Sequence, residues 1–266
     1  MTRGIVIIAQ NTIDVDYVKC AEVLATSIKR TMPDVSISII TDNEVSNPIF
    51  NKVIRLPHGD LDPDSPWKLV NDWQIYEASP YDETLKLEAD MYLPRSIDHW
   101  WDVLSMQDVV VSTTIRDIKN RISTNRLYRR FIDDNKLPDV YNSIVYFKKS
   151  ETAKQFFEIV RNVFENWIAY KNILKCLPQE EVSTDWAYAI ACHIIGREKT
   201  TMPSFTEMSM IHMKQFINGD STENWTDTFV YECLPDQLRV QTIPQLYPFH
   251  YHIKRFCDKL KRLDNE

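Results

Sequence analysis

Apolar and polar positions follow two alternating patterns in the first third of the chain. Residues 4–9 are a continuous apolar run, typical of a strand buried on both faces of a sheet, and 35–40 is predicted to be a second strand. Residues 16–31 carry apolar side chains at helical spacing, and another helix is predicted at 67–78, before a strand at 84–87. This order predicts an α/β fold with a Rossmann-type, mostly parallel sheet and helices on both faces.

The second half of the chain is less regular. Its pattern predicts strands at 108–114, 140–147, 205–213 and 238–243 and helices at 99–105, 151–174 and 178–195. No internal repeat, low-complexity tract or flexible linker interrupts the sequence. We therefore expect one compact unit in which the C-terminal third elaborates the functional site.

Two acidic side chains, Glu88 and Asp90, directly follow the predicted strand at 84–87. Side chains two positions apart at a strand end point to the same side. Two carboxylates aimed at one point suit Mg²⁺ or Mn²⁺, which bind carboxylates together with substrate phosphate oxygens. The alternative is a solvent-exposed strand end, since acidic pairs are common on protein surfaces. Gln10 and Asp42 follow other predicted strands, and ligands bind at such ends in open α/β sheets, which favours the metal site.

Composition excludes several classes of site. The 266 residues include only four glycines, which excludes the glycine-rich loops that bind dinucleotides or nucleoside triphosphates. The five cysteines are scattered without a Cys-x-x-Cys pair, so we expect free thiols in the cytoplasm rather than disulfides or a zinc site. No apolar run has the length of a membrane span and the N-terminus lacks a signal-peptide layout, which predicts a cytoplasmic protein without a membrane partner.

Positive charge is concentrated in one stretch of a protein whose formal net charge is −7. The basic residues of this stretch are Arg116, Lys119, Arg121, Arg126, Arg129 and Arg130. Tyr128 and Phe131 are interleaved with them, a composition suited to phosphate contacts and base stacking. The stretch therefore indicates a nucleic-acid partner, or else it is the solvated face of a helix.

Three blocks of sequence together resemble a known family. They are SPYDETLKLEADMYL at 79–93, VYNSIVYF at 140–147 and Thr-Asp-Trp at 184–186. In this order they resemble the GT-A glycosyltransferases, specifically the glycogenin/galactosyltransferase-like branch. In that family the first block ends in Asp-x-Asp, so the Glu-Ala-Asp at 88–90 is a variant of the motif.

The resemblance implies a glycosyltransferase that uses a nucleotide sugar. Residues 1–266 would form one GT-A catalytic domain, with a nucleotide-sugar-binding half at 1–95 and an acceptor-binding half at 96–266. Asp90, the second acid of the motif, would bind the Mn²⁺ or Mg²⁺ ion that bridges the diphosphate of a UDP-sugar. Glu88 is one methylene longer than the usual aspartate, so it would contact the metal, the ribose or a metal-bound water.

The family also adds a late histidine to the metal site, and two segments compete for this role. His250 and His252 would lie on one face of an extended segment, with Lys254 placed near the diphosphate. His212, followed by Lys214, is the alternative. Family order favours His250 or His252, although a lone histidine in a strand can also be structural.

The nucleotide would contact the ends of the first two strands and the helix before the acidic motif. The implied residues are Ala9, Gln10 and Asn11 under the base and ribose, Asp42 at the uracil or its ribose, and Lys68 facing the phosphates. Gln10 and Asn11 can also form the turn that caps the next helix. Tyr17 stacks on the base in one interpretation and packs in the core in the other.

Asp185, with Glu180 and Glu181 upstream, occupies the family position for the group that accepts the acceptor's proton. Asp185 can equally be the N-terminal cap or a first-turn acid of its helix, where the helix dipole favours negative charge. Asn142 and Ser143 would contact the donor sugar or the acceptor. The sequence does not distinguish a retaining from an inverting reaction.

The sequence also resembles tailed-phage proteins, among them glycosyltransferases that attach arabinose or another sugar to hydroxymethylcytosine in phage DNA. Together with the basic stretch, this implies DNA as the acceptor and arabinose or a hexose as the transferred sugar, in the host cytoplasm. A saccharide or lipopolysaccharide acceptor is an alternative. A nucleotide-sugar- or DNA-binding protein without transferase activity is another, because the Glu88 departure would suit it. The donor sugar and the oligomeric state are not determined by the sequence.

Overall fold

A computed structural model describes residues 1–123, 129–177, 180–202, 208–214, 224–234 and 237–261. Within these ranges, no helix combines the length and apolar character needed to cross a lipid bilayer.

The secondary structure alternates between strands and helices in the first half and becomes strand-rich near the C-terminus. The strands are β1 Arg3–Ile8, β2 Ile37–Ile40, β3 Lys52–Ile54, β4 Glu83–Glu88, β5 Met91–Tyr92, β6 Val109–Ser112, β7 Ile115–Arg116, β8 Tyr141–Lys148, β9 Met210–His212, β10 Tyr231–Leu234, β11 Gln237–Val240, β12 Ile243–Pro244 and β13 Phe249–His250. The α-helices are α1 Tyr17–Thr31, α2 Ile75–Ala78, α3 Trp100–Leu104, α4 Arg130–Asp134, α5 Glu151–Glu165, α6 Trp167–Ile173, α7 Thr184–Ile195, α8 Arg197–Thr200, α9 Trp225–Thr228 and α10 Cys257–Lys261. Turns of 3₁₀ helix cover Leu69–Gln74 and Lys254–Phe256.

The central sheet has the strand order β3-β2-β1-β4-β8-β6. β3, β2, β1 and β4 run parallel, whereas β8 lies antiparallel between β4 and β6. This sheet confirms the predicted α/β fold with mostly parallel strands. A smaller sheet of order β5-β13-β9-β7 lies beside it, and β10, β11 and β12 form an antiparallel meander.

Apolar side chains cover both faces of the central sheet. Ile5 and Ile7 of β1 belong to a cluster with the buried face of α1, while Val6 belongs to a second cluster with α5 and α7. This division follows from the alternation of side chains along a strand. Helices therefore lie on both faces of the sheet, as the sequence predicts.

Two predicted helices differ from the structure in form. The first turns of the helix predicted at 67–78 are 3₁₀ helix over Leu69–Gln74, and only its last turn is α-helical. The helix predicted at 151–174 is divided into α5 and α6, because Asn166 leaves the helical conformation with φ −118° and ψ 28°.

The strands predicted near the C-terminus are shorter than expected. The run at 238–243 is two antiparallel strands, because Gln241 and Thr242 adopt left-handed backbone angles of 48° and 65° in φ and reverse the chain. Of the strand predicted at 205–213, β9 occupies the end, and 203–207 lies outside the described residues.

The Pro-Tyr-Asp turn before β4 packs directly against β1. A Cβ atom on Gly4 would lie 2.5 Å from the ring of Tyr81, so only glycine fits there without movement. The Tyr81 hydroxyl is 2.7 Å from the Ser38 hydroxyl, and Asp82 accepts a 2.7 Å hydrogen bond from the backbone N–H of Thr2. These contacts align the start of β4 with β1.

Candidate functional site

A cleft of about 580 Å³ opens at the carboxyl ends of β1 and β4, where open α/β sheets bind their ligands. Ala9, Asn11 and Asp42 do not line this cleft, although all three were predicted to contact the nucleotide. The residues singled out in the sequence that do line it are Gln10, Tyr17, Lys68, Glu88, Asp90, Arg129, Asn142, Ser143, Asp185, His212, Lys214, His250, His252 and Lys254.

Glu88, Asp90 and His250 aim potential metal-ligand atoms at one another. Nε2 of His250 lies 3.1 Å from Oδ2 of Asp90 and 3.2 Å from Oε2 of Glu88. One ligand atom from each residue lies within 4.8 Å of the other two. His250 reaches the acids because β13 pairs with β5, which places it opposite Met91. Two carboxylates and one imidazole could hold a divalent cation here.

Lys254 completes the charge balance of this cluster. Its Nζ lies 2.5 Å from Oδ2 of Asp90. Burial opposes the charge on Asp90, but His250 and Lys254 outweigh it and hold the pKa of Asp90 well below its usual range. Burial also opposes the charge on Lys254, but Asp90 outweighs it and raises the pKa of Lys254. At neutral pH the pair is therefore ionised, and its ammonium group faces the cleft.

The three histidines of the two competing segments lie together. Nε2 of His252 is 3.3 Å from Nδ1 of His212, which is 3.2 Å from Nδ1 of His250. The His250 and His252 rings stack with their centroids 4.0 Å apart. Burial and the neighbouring imidazoles hold the pKa of His212 and His252 well below the usual range, so both rings are neutral at pH 7. Of the three, His250 contacts the carboxylates.

The predicted catalytic residues form one wall of the cleft, in contact with the carboxylates. The Ser143 hydroxyl donates to Oε2 of Glu88 at 2.8 Å. Oδ1 of Asp185 accepts from the backbone N–H of Asn142 at 2.9 Å. The N-cap of α7 is Ser183, whose side chain accepts a backbone N–H of the first turn, and Asp185 is the acid in that turn.

Arg129 is buried inside this wall, with 4% of its surface exposed. It donates to Asp139 at 2.7 Å and to Asp185 at 2.8 Å, and its guanidinium lies 4.3 Å from the centre of the Tyr141 ring. The prediction that Arg129 contacts DNA is therefore wrong, because its charge is matched by two carboxylates within the protein.

The sequence analysis missed a buried ion pair at the base of the cleft. Lys86 is fully buried, and its Nζ lies 2.9 Å from Asp72 and 2.7 Å from the backbone carbonyl of Asn142. The hydroxyl of Tyr188 donates to the other oxygen of Asp72 at 2.5 Å. The signal was a lysine in the middle of an apolar strand, because a buried charge requires a partner.

Gln10 and Asn11 have different surroundings at the end of β1. The amide of Gln10 donates to Asp42 at 3.4 Å, and this contact connects Asp42 to the cleft. Oδ1 of Asn11 accepts the backbone N–H of Val18 in the first turn of α1, as the capping alternative predicts.

The rim of the cleft is formed by Lys68 and its neighbours. The ammonium of Lys68 is 2.7 Å from Asp60, which balances its charge. Trp67, which the sequence analysis did not single out, lines the cleft with 60% of its surface exposed. Tyr17 packs against the core, as one interpretation predicts, and it also lines the cleft. Its stacking on the base stays a prediction.

The basic stretch at 116–130 does not form one open surface in the part that the structure describes. Arg116 lies over the ring of Tyr247 at 4.2 Å. Arg121 pairs with the buried carboxylate of Asp117 at 2.6 Å. These guanidinium groups therefore hold a loop together.

The remaining cations of this stretch are more open. Lys119 is exposed, and Arg130 is exposed beside Asp134 at 3.3 Å on α4. Arg126 lies outside the described residues. Arg121 is exposed as well, beside Asp117. A role in binding nucleic acid stays a prediction for Arg116, Lys119, Arg121, Arg126 and Arg130.

No protein-family model matches the sequence, and no curated protein matches it. Among solved structures, the galactosyltransferase LgtC in complex with donor and acceptor sugar analogues is similar over 98% of this chain and 95% of its own, with a TM-score of 0.58 and 13% identity. An active-site mutant of LgtC gives a TM-score of 0.56 at 14% identity over the same shares. The chain has the GT-A fold. The acidic cluster of this GT-A fold lies at the carboxyl end of β4, between the central and the smaller sheet.

Proposed function

We propose that this protein is a metal-dependent glycosyltransferase that moves a sugar from a UDP-sugar to a hydroxyl group. The proposal rests on one observation: Glu88, Asp90 and His250 converge beside Lys254 at the ligand-binding edge of a GT-A fold. A cation site next to an ammonium group that faces the cleft is complementary to a diphosphate, whose oxygens need positive charge.

The donor atoms fit a divalent cation. Two carboxylates provide the hard oxygens that Mn²⁺ and Mg²⁺ prefer, and Nε2 of His250 is directed at the same point. When bound, such an ion would stabilise the negative charge on the departing diphosphate. The longer side chain of Glu88 still reaches the cluster, which argues against the alternative of an inactive binding protein.

The protein's own residues have separate tasks in this proposal. Lys254 would bind the diphosphate oxygens, and Ser143 would orient Glu88 through their 2.8 Å hydrogen bond. Asn142 and Asp185 line the cleft where the donor sugar would lie. Both oxygens of Asp185 already accept hydrogen bonds, which favours a positioning role over acceptance of a proton.

We propose that residues 1–266 act as one catalytic domain. The metal site would draw on both sides of the predicted boundary at residue 95, since Asp90 precedes it and His250 follows it. The nucleotide would then bind in the donor half at 1–95, whereas the metal would take ligands from both this half and the acceptor half at 96–266.

The acceptor hypothesis rests on the sequence alone. The burial of Arg129 removes one of the cations proposed to bind DNA that contains hydroxymethylcytosine, although Lys119 and Arg130 stay exposed. The exposed indole of Trp67 suits stacking on a base or on a sugar ring. We therefore propose hydroxymethylcytosine in DNA as the acceptor and arabinose or a hexose as the transferred sugar. A saccharide acceptor is the alternative to be tested.

The metal site is tested by Asp90→Asn. Because the change removes an anionic ligand, we expect loss of the Mn²⁺-dependent part of UDP binding, measured by titration calorimetry. Hydrolysis of the UDP-sugar without an acceptor should fall by about a hundredfold or more, as the loss of metal stabilisation worth several kcal/mol predicts.

Asp98→Asn is the matched control, since Asp98 is exposed and lies outside the cleft. It should leave UDP binding and hydrolysis unchanged. Mn²⁺-dependent UDP affinity that survives in Asp90→Asn would contradict the metal assignment. A wild-type protein that binds UDP with Mn²⁺ but neither hydrolyses nor transfers any sugar would be a binding protein instead.

A further inference from the structure

The imidazoles of His212, His250 and His252 form a second group of potential ligands behind the carboxylates. Nδ1 of His212 is 3.2 Å from Nδ1 of His250 and 3.3 Å from Nε2 of His252. One ring nitrogen from each of the three residues lies within 4.8 Å of the other two. Each residue also lines the cleft, so an ion can reach the group from solvent.

Two of the three separations between these nitrogens are those of ligands around a tetrahedral ion. With Zn–N bonds of 2.0–2.1 Å, two ligands at the tetrahedral angle are about 3.3 Å apart. The two short separations at His212 equal this value within 0.1 Å. Three imidazoles would leave the fourth position of such an ion open, as in zinc sites that keep a water ligand.

Hydrogen bonds between the rings do not account for both short contacts. A ring nitrogen carries either one proton or one lone pair, directed along a single line in the ring plane. Nδ1 of His212 can therefore make one linear hydrogen bond, yet it faces His250 and His252 at nearly equal distances. A metal ion would accept the lone pairs of all three nitrogens at once.

The opposite edge of His250 has the partners that a metal-bound histidine usually has. Its Nε2 lies 3.1 Å from Asp90 and 3.2 Å from Glu88. Metal-ligating histidines typically donate their other ring N–H to a carboxylate, which fixes the tautomer and the ring orientation. With a metal on Nδ1, the two acids would accept the Nε2–H, so His250 would serve this ion and the carboxylate cluster in turn, not both at once.

The backbone at His252 is held in an unusual conformation. Its φ angle of 56° lies in the left-handed region, which glycine occupies freely and other residues occupy at a cost. This conformation turns the His252 ring back onto His250, where the two rings stack. Strain of this kind is typical of functional sites, because the surroundings must maintain it.

We infer that His212, His250 and His252 together bind a transition-metal ion such as Zn²⁺ or Co²⁺ through three ring nitrogens. Imidazole ligands favour these ions over Mg²⁺ and Mn²⁺. The positive charges of Lys214, Lys254 and Arg129 act on the cluster and oppose cation binding, so bonds to nitrogen must supply the affinity. The inference does not depend on glycosyl transfer.

The test is a titration of the wild-type protein, without a histidine tag, with Co²⁺, followed by visible absorption. Tetrahedral Co²⁺ absorbs far more strongly than octahedral Co²⁺, so we expect an intense band at saturation. His212→Gln and His252→Gln should each abolish the band or weaken Co²⁺ binding by at least about tenfold, since even changes to the groups that orient a metal ligand cost that much. His252→Gln is decisive if the buried His212 variant fails to fold, which circular dichroism would show.

Two further variants separate this site from the carboxylate cluster. Glu88→Gln removes a ligand of that cluster but leaves Asp90 to accept the Nε2–H of His250, so the intense band should persist at saturation. It should also persist in His193→Gln, which changes an exposed histidine on α7. The inference is overturned if the wild type shows no intense band. It is also overturned if Glu88→Gln loses the band while His252→Gln keeps it, because the cobalt would then occupy the carboxylate cluster.

Discussion

At the scale of single residues, the stability of the cleft interior depends on a buried charge and its oppositely charged partner. Lys86 is fully buried on β4, and Asp72 with its Tyr188 hydrogen bond compensates it. The same lysine donates to the backbone carbonyl of Asn142, which holds the start of β8 against the base of the cleft. Burying such an ion pair costs free energy of desolvation. Removing one partner therefore destabilises the protein more than replacing both partners by apolar residues.

Lys86→Met should destabilise the protein by about 3–5 kcal/mol, because it leaves the Asp72 carboxylate buried without a countercharge. The double variant Lys86→Met, Asp72→Leu should recover most of this loss, since both charges are then removed. Urea unfolding of Lys86→Met, of Asp72→Leu and of the double variant measures the coupling between the two residues.

Lys154→Met is the surface control, since Lys154 lies 3.9 Å from Glu158 on the exposed face of α5. It should change the free energy of unfolding by about 1 kcal/mol or less. If Lys86→Met costs no more than this control, the buried pair does not have the proposed role.

At the scale of elements, the parallel register of β1 and β4 places the acids at the ligand-binding edge. Ile8 of β1 pairs with Glu88, so the two strands end together. The other end of the pair is fixed by Tyr81, whose ring covers Gly4 and whose hydroxyl contacts Ser38 on β2. The position of the acidic motif therefore depends on packing at the far end of the same two strands.

Gly4→Ala should destabilise the protein by about 1–3 kcal/mol, as expected for overpacking. The cause is the new methyl group, which would lie 2.5 Å from the Tyr81 ring. Thermal or urea unfolding gives the cost. In the Tyr81→Leu background the ring is gone, and the same change at Gly4 should cost much less. Equal costs in the two backgrounds would show that the contact with Tyr81 is not the cause.

At the scale of the whole molecule, the cleft is completed by residues far apart in the sequence. The smaller sheet pairs β13 with β5 and β9, which brings His250 beside Asp90 on one side and His212 on the other. Four cations and four carboxylates line the cleft, so a bound metal ion would supply the excess positive charge that an anionic ligand needs. The DNA hypothesis requires further positive charge outside the cleft.

If hydroxymethylcytosine in DNA is the acceptor, wild-type protein with Mn²⁺ and a panel of UDP-sugars should add sugar to modified DNA only. Replacing Lys119, Arg126 and Arg130 by alanine should flatten the salt dependence of DNA binding by about one unit of log–log slope for each phosphate that is no longer bound. Mass spectrometry of the DNA and binding at several salt concentrations measure both effects.

The same triple variant should hydrolyse free UDP-sugar at the wild-type rate, because the proposal above assigns none of its three residues to the donor site. Arg129 is left unchanged, since its replacement would disturb Asp185. Normal modification of DNA by the triple variant, or no modification by the wild type with any donor, would remove the DNA hypothesis and favour a saccharide acceptor.

The sequence by itself determined the main strands, the helices on both faces and the acids at the end of β4. These features depend on local periodicity and on the geometry of strand ends, which neighbouring residues specify. The Pro-Tyr-Asp turn and the late histidines could also be recognised, since short motifs carry their own chemistry. The ends of the helix at Asn166 and of the strand at Gln241 were less predictable from the sequence. A single residue that leaves the regular backbone angles does not alter the apolar pattern.

The tertiary structure alone decided which side chains share a site. Arg129 belongs to a basic stretch in the sequence, yet it is buried against Asp185. His212 competes with His250 as a ligand in the sequence, yet their rings are in contact in the fold. The physical reason is the same in each case: pairing between distant strands and helices determines which charges lose their water, and a buried charge or imidazole then takes its partners from whatever the fold brings near.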